Sequence, residues 1–220
     1  MIEWQQIDTV FLDMDGTLLD LNFDTHFWTE HVPLRYSQMY QLPLDEAKRQ
    51  LAMRYKAVEG TIDWYCIDYW TRELGLDIAV LKEEVDHLIA VHPHVTEFLD
   101  AVRATGKGVL LVTNAHMKSL SLKMERTKLG GHFDRLICSH DYGVAKEEQL
   151  FWERLREEYP YDPARTLLVD DSLAVLRSAR RFGLGHLLAV YQPDTKQGRR
   201  DVAEFEAIES FLDIMPAPRG

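Results

Sequence analysis

Five short apolar runs punctuate the chain: TVFLD at residues 9–13, VLLVT at 109–113, RLICS at 135–139, TLLVD at 166–170 and HLLAV at 186–190. Each is apolar on consecutive rather than alternate positions and rich in leucine or β-branched residues. That pattern predicts strands buried on both faces. Between and after the runs, apolar residues recur at helical spacing, which predicts helices over 93–105, 117–129, 147–159, 172–181 and 201–215. Gly106, Gly130 and Gly183 stand where these helices should stop, Pro160 follows another, and Ser172 is placed to cap the fourth. Strands alternating with helices predict an α/β fold with a Rossmann-like parallel sheet core.

The stretch 21–91 breaks this rhythm. It holds no strand-like run and predicts helices over 44–59, 61–74 and 77–90, with another over 25–40 interrupted near Pro33. So much helix is too long for a crossover between adjacent strands. The expectation is a separate helical unit over 21–91, inserted into a discontinuous core of 1–20 and 92–220. Trp64, Tyr65, Ile67, Tyr69 and Trp70 surround a whole helix, which predicts packing inside that unit. Phe23, Phe27 and Trp28 lie nearer its entry and are expected to face a cleft.

In open α/β sheets, ligands bind beyond the carboxyl ends of the strands. Here those ends read Asp13-Met14-Asp15-Gly16-Thr17, Thr113-Asn114, Ser139-His140 and Asp170-Asp171-Ser172. Asp13, Asp15, Asp170 and Asp171 converging at one end would repel one another, and a hard divalent cation with oxygen ligands, Mg2+, resolves the repulsion. Gly16 permits a tight turn and close backbone approach to an anion. Thr113 and Asn114 offer donors, and Lys146 offers an ammonium for a transferring phosphoryl group. Singly, each has a plain alternative: a strand-end Asp often caps a helix, and an isolated lysine is usually solvated. The ordered set, opened by DMDGT after the first strand, is what points to chemistry.

Composition narrows the partners. Of 220 residues, 46% are hydrophobic and 28% charged, and the net charge is -11, so nucleic acid and anionic membrane surfaces are disfavoured. A small phosphorylated metabolite is the expected partner, for a monomer or dimer. Cys66 and Cys138 are few for so long a chain and suggest a reducing compartment. No apolar stretch reaches membrane-spanning length and no leader pattern opens the chain, so a cytoplasmic protein is expected.

With DMDGT (Asp13–Thr17), VTN (Val112–Asn114), Lys146 and VDDS (Val169–Ser172) in order, the chain resembles the haloacid dehalogenase (HAD) superfamily. The inserted helices resemble its C1 cap. The resemblance implies Asp13 as nucleophile, forming an aspartyl-phosphate, and Asp15 as general acid and then base. It implies Mg2+ held by Asp13, the Asp15 carbonyl and Asp171, with Asp170 acting on the metal directly or through water. It implies Thr113, Asn114, Lys146 and backbone amides near Met14 and Gly16 around the phosphoryl oxygens. The presence of Asp15 favours phosphoryl chemistry over the metal-free dehalogenases and the transport ATPases. Ala145 departs from the proline commoner before the motif lysine. Longer strings, residues 8–28, 64–70, 74–77 and 113–116, resemble the bacterial purine nucleotidases of the superfamily, which implies a 5'-nucleotidase acting on GMP and IMP. Alternatives are a phosphatase for a sugar phosphate or phosphoglycolate, a phosphomutase, an idle binding protein, and a phospho-accepting signalling module, which would lack both DxDGT and the cap.

Overall fold

The computed structural model describes residues 2–217. β1 (Thr9–Leu12), β2 (Gly108–Thr113), β3 (Arg135–Cys138), β4 (Thr166–Val169), β5 (His186–Val190) and β6 (Ala207–Ile208) form one six-stranded sheet in the order β3-β2-β1-β4-β5-β6. All five pairings are parallel. The α/β, Rossmann-like reading holds, and the five apolar runs are the first five strands. β1 lies between β2 and β4, with Leu12 level with Leu111 and Val169. The motif residues that follow these strands therefore leave the sheet side by side.

Successive strand residues point to opposite faces. Val10, Leu12, Leu111 and Val169 join one apolar cluster, with Val95, Phe98 and Leu120. Phe11, Leu110, Val112 and Leu168 join the other, with Phe151, Trp152 and Leu176. Burial on both faces is why the runs are continuous rather than alternating.

The segment 21–91 folds as α1 (Asn22–His26), a wide π turn (Phe27–His31), α2 (Val32–Tyr40), α3 (Leu44–Val58), α4 (Ile62–Tyr65), α5 (Ile67–Leu74) and α6 (Ile78–Glu84). It has its own apolar cluster, including Phe23, Phe27, Tyr36, Leu51, Ile67 and Trp70. The chain leaves and re-enters the core along two adjoining strands of backbone: Asp20 N–H donates to Ala90 O at 2.9 Å, and His92 N–H to Leu18 O at 2.9 Å. We take this pair of segments as the joint between a core of 1–20 and 92–220 and a helical cap of 21–91; residues 1 and 218–220 lie outside the described residues.

Several expected elements differ. The helical run over 22–40 does not stop at Pro33; a π turn, Phe27–His31, directly precedes the proline and interrupts the α-helical pattern there. The expected helix 61–74 is split at Cys66, whose backbone is extended (φ -86°, ψ 111°). The helix expected over 77–90 stops at Glu84 and a short turn, Asp86–Leu88, follows.

The core helices are α7 (Val95–Ala104), α8 (Met117–Thr127), α9 (Gln149–Glu158) and α10 (Leu173–Phe182). Ser172 caps α10, accepting from Val175 N–H. The helix expected over 201–215 is absent. Phe205, Ile208, Phe211 and Ile214 recur every three residues and imitate a helical stripe. However, Phe205 joins one sheet face and the other three join the opposite face. One helix cannot serve both sides of a sheet, so the segment runs extended as β6 and closes in a single turn, Phe211–Ile214. Among the described residues no helix is long and apolar enough to cross a membrane.

Candidate active site

β1 delivers Asp13 into a closed turn. The Met14 carbonyl accepts from the N–H groups of Leu18 (3.0 Å) and Leu19 (2.9 Å), and Gly16 N–H donates to Leu19 O at 2.7 Å. Gly16 has φ +82°, and a Cβ there would lie 2.7 Å from the Asp171 carboxyl. Only glycine suits both the left-handed backbone and this approach. Its amide is engaged by the turn, so its contribution is shape.

Lys146 is fully buried and holds the centre together. Its Nζ donates to Asp13 Oδ1 (2.5 Å), Asp170 Oδ2 (2.7 Å) and the Val112 carbonyl (2.9 Å). All three ammonium donors are thereby used. Burial works to discharge the ammonium, but Asp13 and Asp170 outweigh it and hold its pKa above the usual lysine range. The loop bearing Lys146 is fixed by Asn114, whose Oδ1 accepts from Lys146 N–H (2.9 Å) and whose Nδ2 donates to Glu147 (2.9 Å). Asn114 thus positions the lysine, and Ala145, buried before it, needs no proline to order the loop. Glu147 is occupied here, and α9 starts two residues later than its sequence suggested. Thr113 is buried; its Oγ1 accepts from Ala115 N–H at 3.0 Å and keeps its hydrogen for another partner.

One carboxylate oxygen from each of Asp13, Asp170 and Asp171 lies within 4.8 Å of the others. Burial raises the Asp13 pKa, with repulsion from Asp170 and Asp15 adding to it against Lys146. Burial likewise raises Asp170. Burial and Asp13 push Asp171 up to about 7, although Arg200 stands 3.0 Å away. Two buried carboxylates and a third, partly buried one, sharing one lysine and one half-exposed arginine, are short of positive charge. This all-oxygen donor set fits a hard divalent cation such as Mg2+.

Sequence reasoning did not find the partner of Asp15. Lys123 of α8, 1% exposed, donates to Asp15 Oδ1 (2.6 Å) and to Asp24 Oδ2 (2.5 Å) of the helical segment. Lys82 of α6, also buried, donates to the other oxygen of Asp24 at 2.8 Å. Burial raises Asp15, against the pull of Lys123. Burial opposes the Lys123 charge, but Asp15 and Asp24 outweigh it and raise its pKa. Burial lowers Lys82. Asp24, flanked by both lysines, is held below the usual carboxylate range despite its burial. The available signal was position: Lys123 shares the buried stripe of α8 with Leu120, and Lys82 follows Ile78 by one turn of α6.

Phe23 and Phe27, expected to face a cleft, are buried instead. The Lys82 ammonium lies over their rings, 4.9 and 4.6 Å from the centroids, and Lys123 lies 5.0 Å from Phe23. Trp70 packs as expected, whereas Tyr65 reaches the core and donates its hydroxyl to Glu147 at 2.6 Å.

The family model for haloacid dehalogenase-like hydrolases matches residues 7–183. GMP/IMP nucleotidase YrfG of Escherichia coli (strain K12) is 38% identical over 216 residues, covering 98% of this chain and 97% of that protein. Pyrimidine 5'-nucleotidase YjjG of the same organism is 26% identical over 179 residues, 75% of this chain and 77% of that one. In fold, a HAD phosphatase from Thermococcus onnurineus superposes with a TM-score of 0.78 at 22% identity, over 94% of this chain and 96% of that chain. A family match over most of the length, and a relative aligned from end to end, establish that the chain belongs to the haloacid dehalogenase-like hydrolases, as a phosphoric monoester hydrolase.

Proposed function

We propose that the chain is a Mg2+-dependent 5'-nucleotidase that hydrolyses purine monophosphates, GMP and IMP foremost, through a phosphoryl group carried on Asp13. For the chemistry, the observation that carries the reading is the contrast between two aspartates two residues apart. Asp13 is fixed by Lys146 through one oxygen, and its other oxygen attacks phosphorus. As the P–O bond to the nucleoside breaks, Asp15, held by Lys123 instead of Lys146, protonates the departing oxygen. Asp15 then takes a proton from water, the water oxygen attacks phosphorus, and the bond to Asp13 breaks to release phosphate. Lys146 keeps Asp13 oriented, and the Thr113 hydroxyl donates to a phosphoryl oxygen.

Mg2+ would be held by the carboxylates of Asp13 and Asp171 and by the Asp15 carbonyl, with Asp170 beside them. It would supply positive charge against the phosphoryl oxygens and the crowded carboxylates. For the substrate, support comes from the relative acting on GMP and IMP, which is similar along the whole chain, helical segment included.

Phosphate release from a panel of GMP, IMP, AMP, UMP, a hexose phosphate and phosphoglycolate, with Mg2+ and with EDTA, tests the reading. GMP and IMP should show the highest kcat/KM, and EDTA should abolish turnover. A sugar phosphate or phosphoglycolate outrunning both purines would overturn the substrate assignment. Full turnover in EDTA would overturn the metal-dependent mechanism.

A further inference from the structure

A second cluster of ligand-bearing side chains lies where the helical segment meets the core. One ligand atom from each of Cys66, His116 and His140 lies within 4.8 Å of the others. Cys66 belongs to the segment 21–91 and separates α4 from α5. His116 caps α8, two residues beyond Asn114, and His140 lies in the turn after β3. The two imidazoles meet edge to face, with centroids 5.0 Å apart. All three residues are partly buried.

The His140 Nε2 atom is buried without a hydrogen-bond partner. A buried imidazole nitrogen left unpaired carries a desolvation cost that a ligand removes. Competing contacts are weak. Lys118 N–H reaches His116 Nδ1 at 3.3 Å, Asp68 stands 3.7 Å from His116 Nε2, and Tyr69 N–H reaches Cys66 Sγ at 3.4 Å. One thiolate and two imidazoles select a borderline cation such as zinc, whereas the all-carboxylate cluster selects magnesium.

We propose that Cys66, His116 and His140 form a site for Zn2+ or a similar transition-metal ion, separate from the magnesium cluster, which ties the helical cap to the core. Cys66 binds as thiolate and releases its proton, and Asp68 or water fills the fourth position. The bond would reinforce the neighbouring Tyr65–Glu147 contact and hold the cap shut beside Asn114. Cap opening lets substrate in and product out, so an occupied site slows turnover. That last consequence rests on the phosphatase reading, whereas the binding itself does not.

Cobalt titration with Mg2+ saturating tests the site without reference to activity. The wild-type protein should show thiolate-to-cobalt charge transfer and tetrahedral cobalt bands, both displaced by Zn2+. Cys66→Ser and His140→Gln should lose them and bind Zn2+ about tenfold or more weakly, and Asp171→Asn should retain them. Zn2+ should slow amide hydrogen exchange over residues 62–74 in the wild type and not in Cys66→Ser. Absence of charge transfer in the wild type, or its persistence in Cys66→Ser, would overturn the site. Equal exchange with and without bound Zn2+ would overturn the cap clamp. Failure of every phosphate ester to turn over would instead defeat the phosphatase reading, with the cobalt spectrum still deciding this one.

Discussion

Asp13 and Asp15 are the same residue type two positions apart, yet each is governed by a different buried lysine. Lys146 pairs with Asp13 and Asp170, and Lys123 with Asp15 and Asp24. Asp13→Asn should abolish turnover while leaving the protein folded; near-normal phosphate release would contradict its role as nucleophile. Lys123→Met leaves Asp15 without its cation and Asp24 with Lys82 alone, and should cost about 3 kcal/mol, read by denaturant titration. Because Lys123 lowers the Asp15 pKa, its removal should move the Asp15 limb of the pH–rate profile upward. An unshifted profile would separate Lys123 from the proton transfer. Asp13, Asp15 and Asp171 were legible because their motifs follow strand ends, and Lys146 because it falls in order among them, ahead of α9. Lys123 was not, because a lysine inside a helix pattern looks like a solvated face until the partner element supplies Asp24.

At the scale of elements, burial on both faces made the five strands legible. The same rule hid the last one: apolar residues serving opposite sides of the sheet gave 201–215 a helical spacing. The expected helix over 61–74 is interrupted where Cys66 takes an extended backbone. Within that segment Trp70 is 1% exposed and meets Trp28, Tyr55, Trp64 and Tyr69. Trp70→Ala should cost about 3–5 kcal/mol. Since these partners belong to the cap cluster and not to the sheet clusters, the loss should appear as faster hydrogen exchange over residues 44–74 with the strands unaffected. Uniform acceleration across the sheet would show that the two cores unfold as one.

For the molecule as a whole, acidity concentrated at one end of the sheet couples stability to protons and metal. Burial and Asp13 push the Asp171 pKa up to about 7 in the folded protein, whereas the unfolded chain releases that proton near the ordinary carboxylate pKa of about 4. The folded state therefore binds more protons across this window, and its stability falls as pH rises through it. A bound cation removes the repulsion, so Mg2+ should raise Tm more at about pH 8 than at about pH 5. Equal increments at both would place the ion elsewhere. The central claim, that phosphorus passes through residue 13, is met most directly by trapping. Enzyme quenched during turnover of GMP with Mg2+, then reduced with borohydride, should yield homoserine in place of Asp13 by peptide mass spectrometry. Unmodified Asp13 under steady turnover, or homoserine at another aspartate, would contradict it.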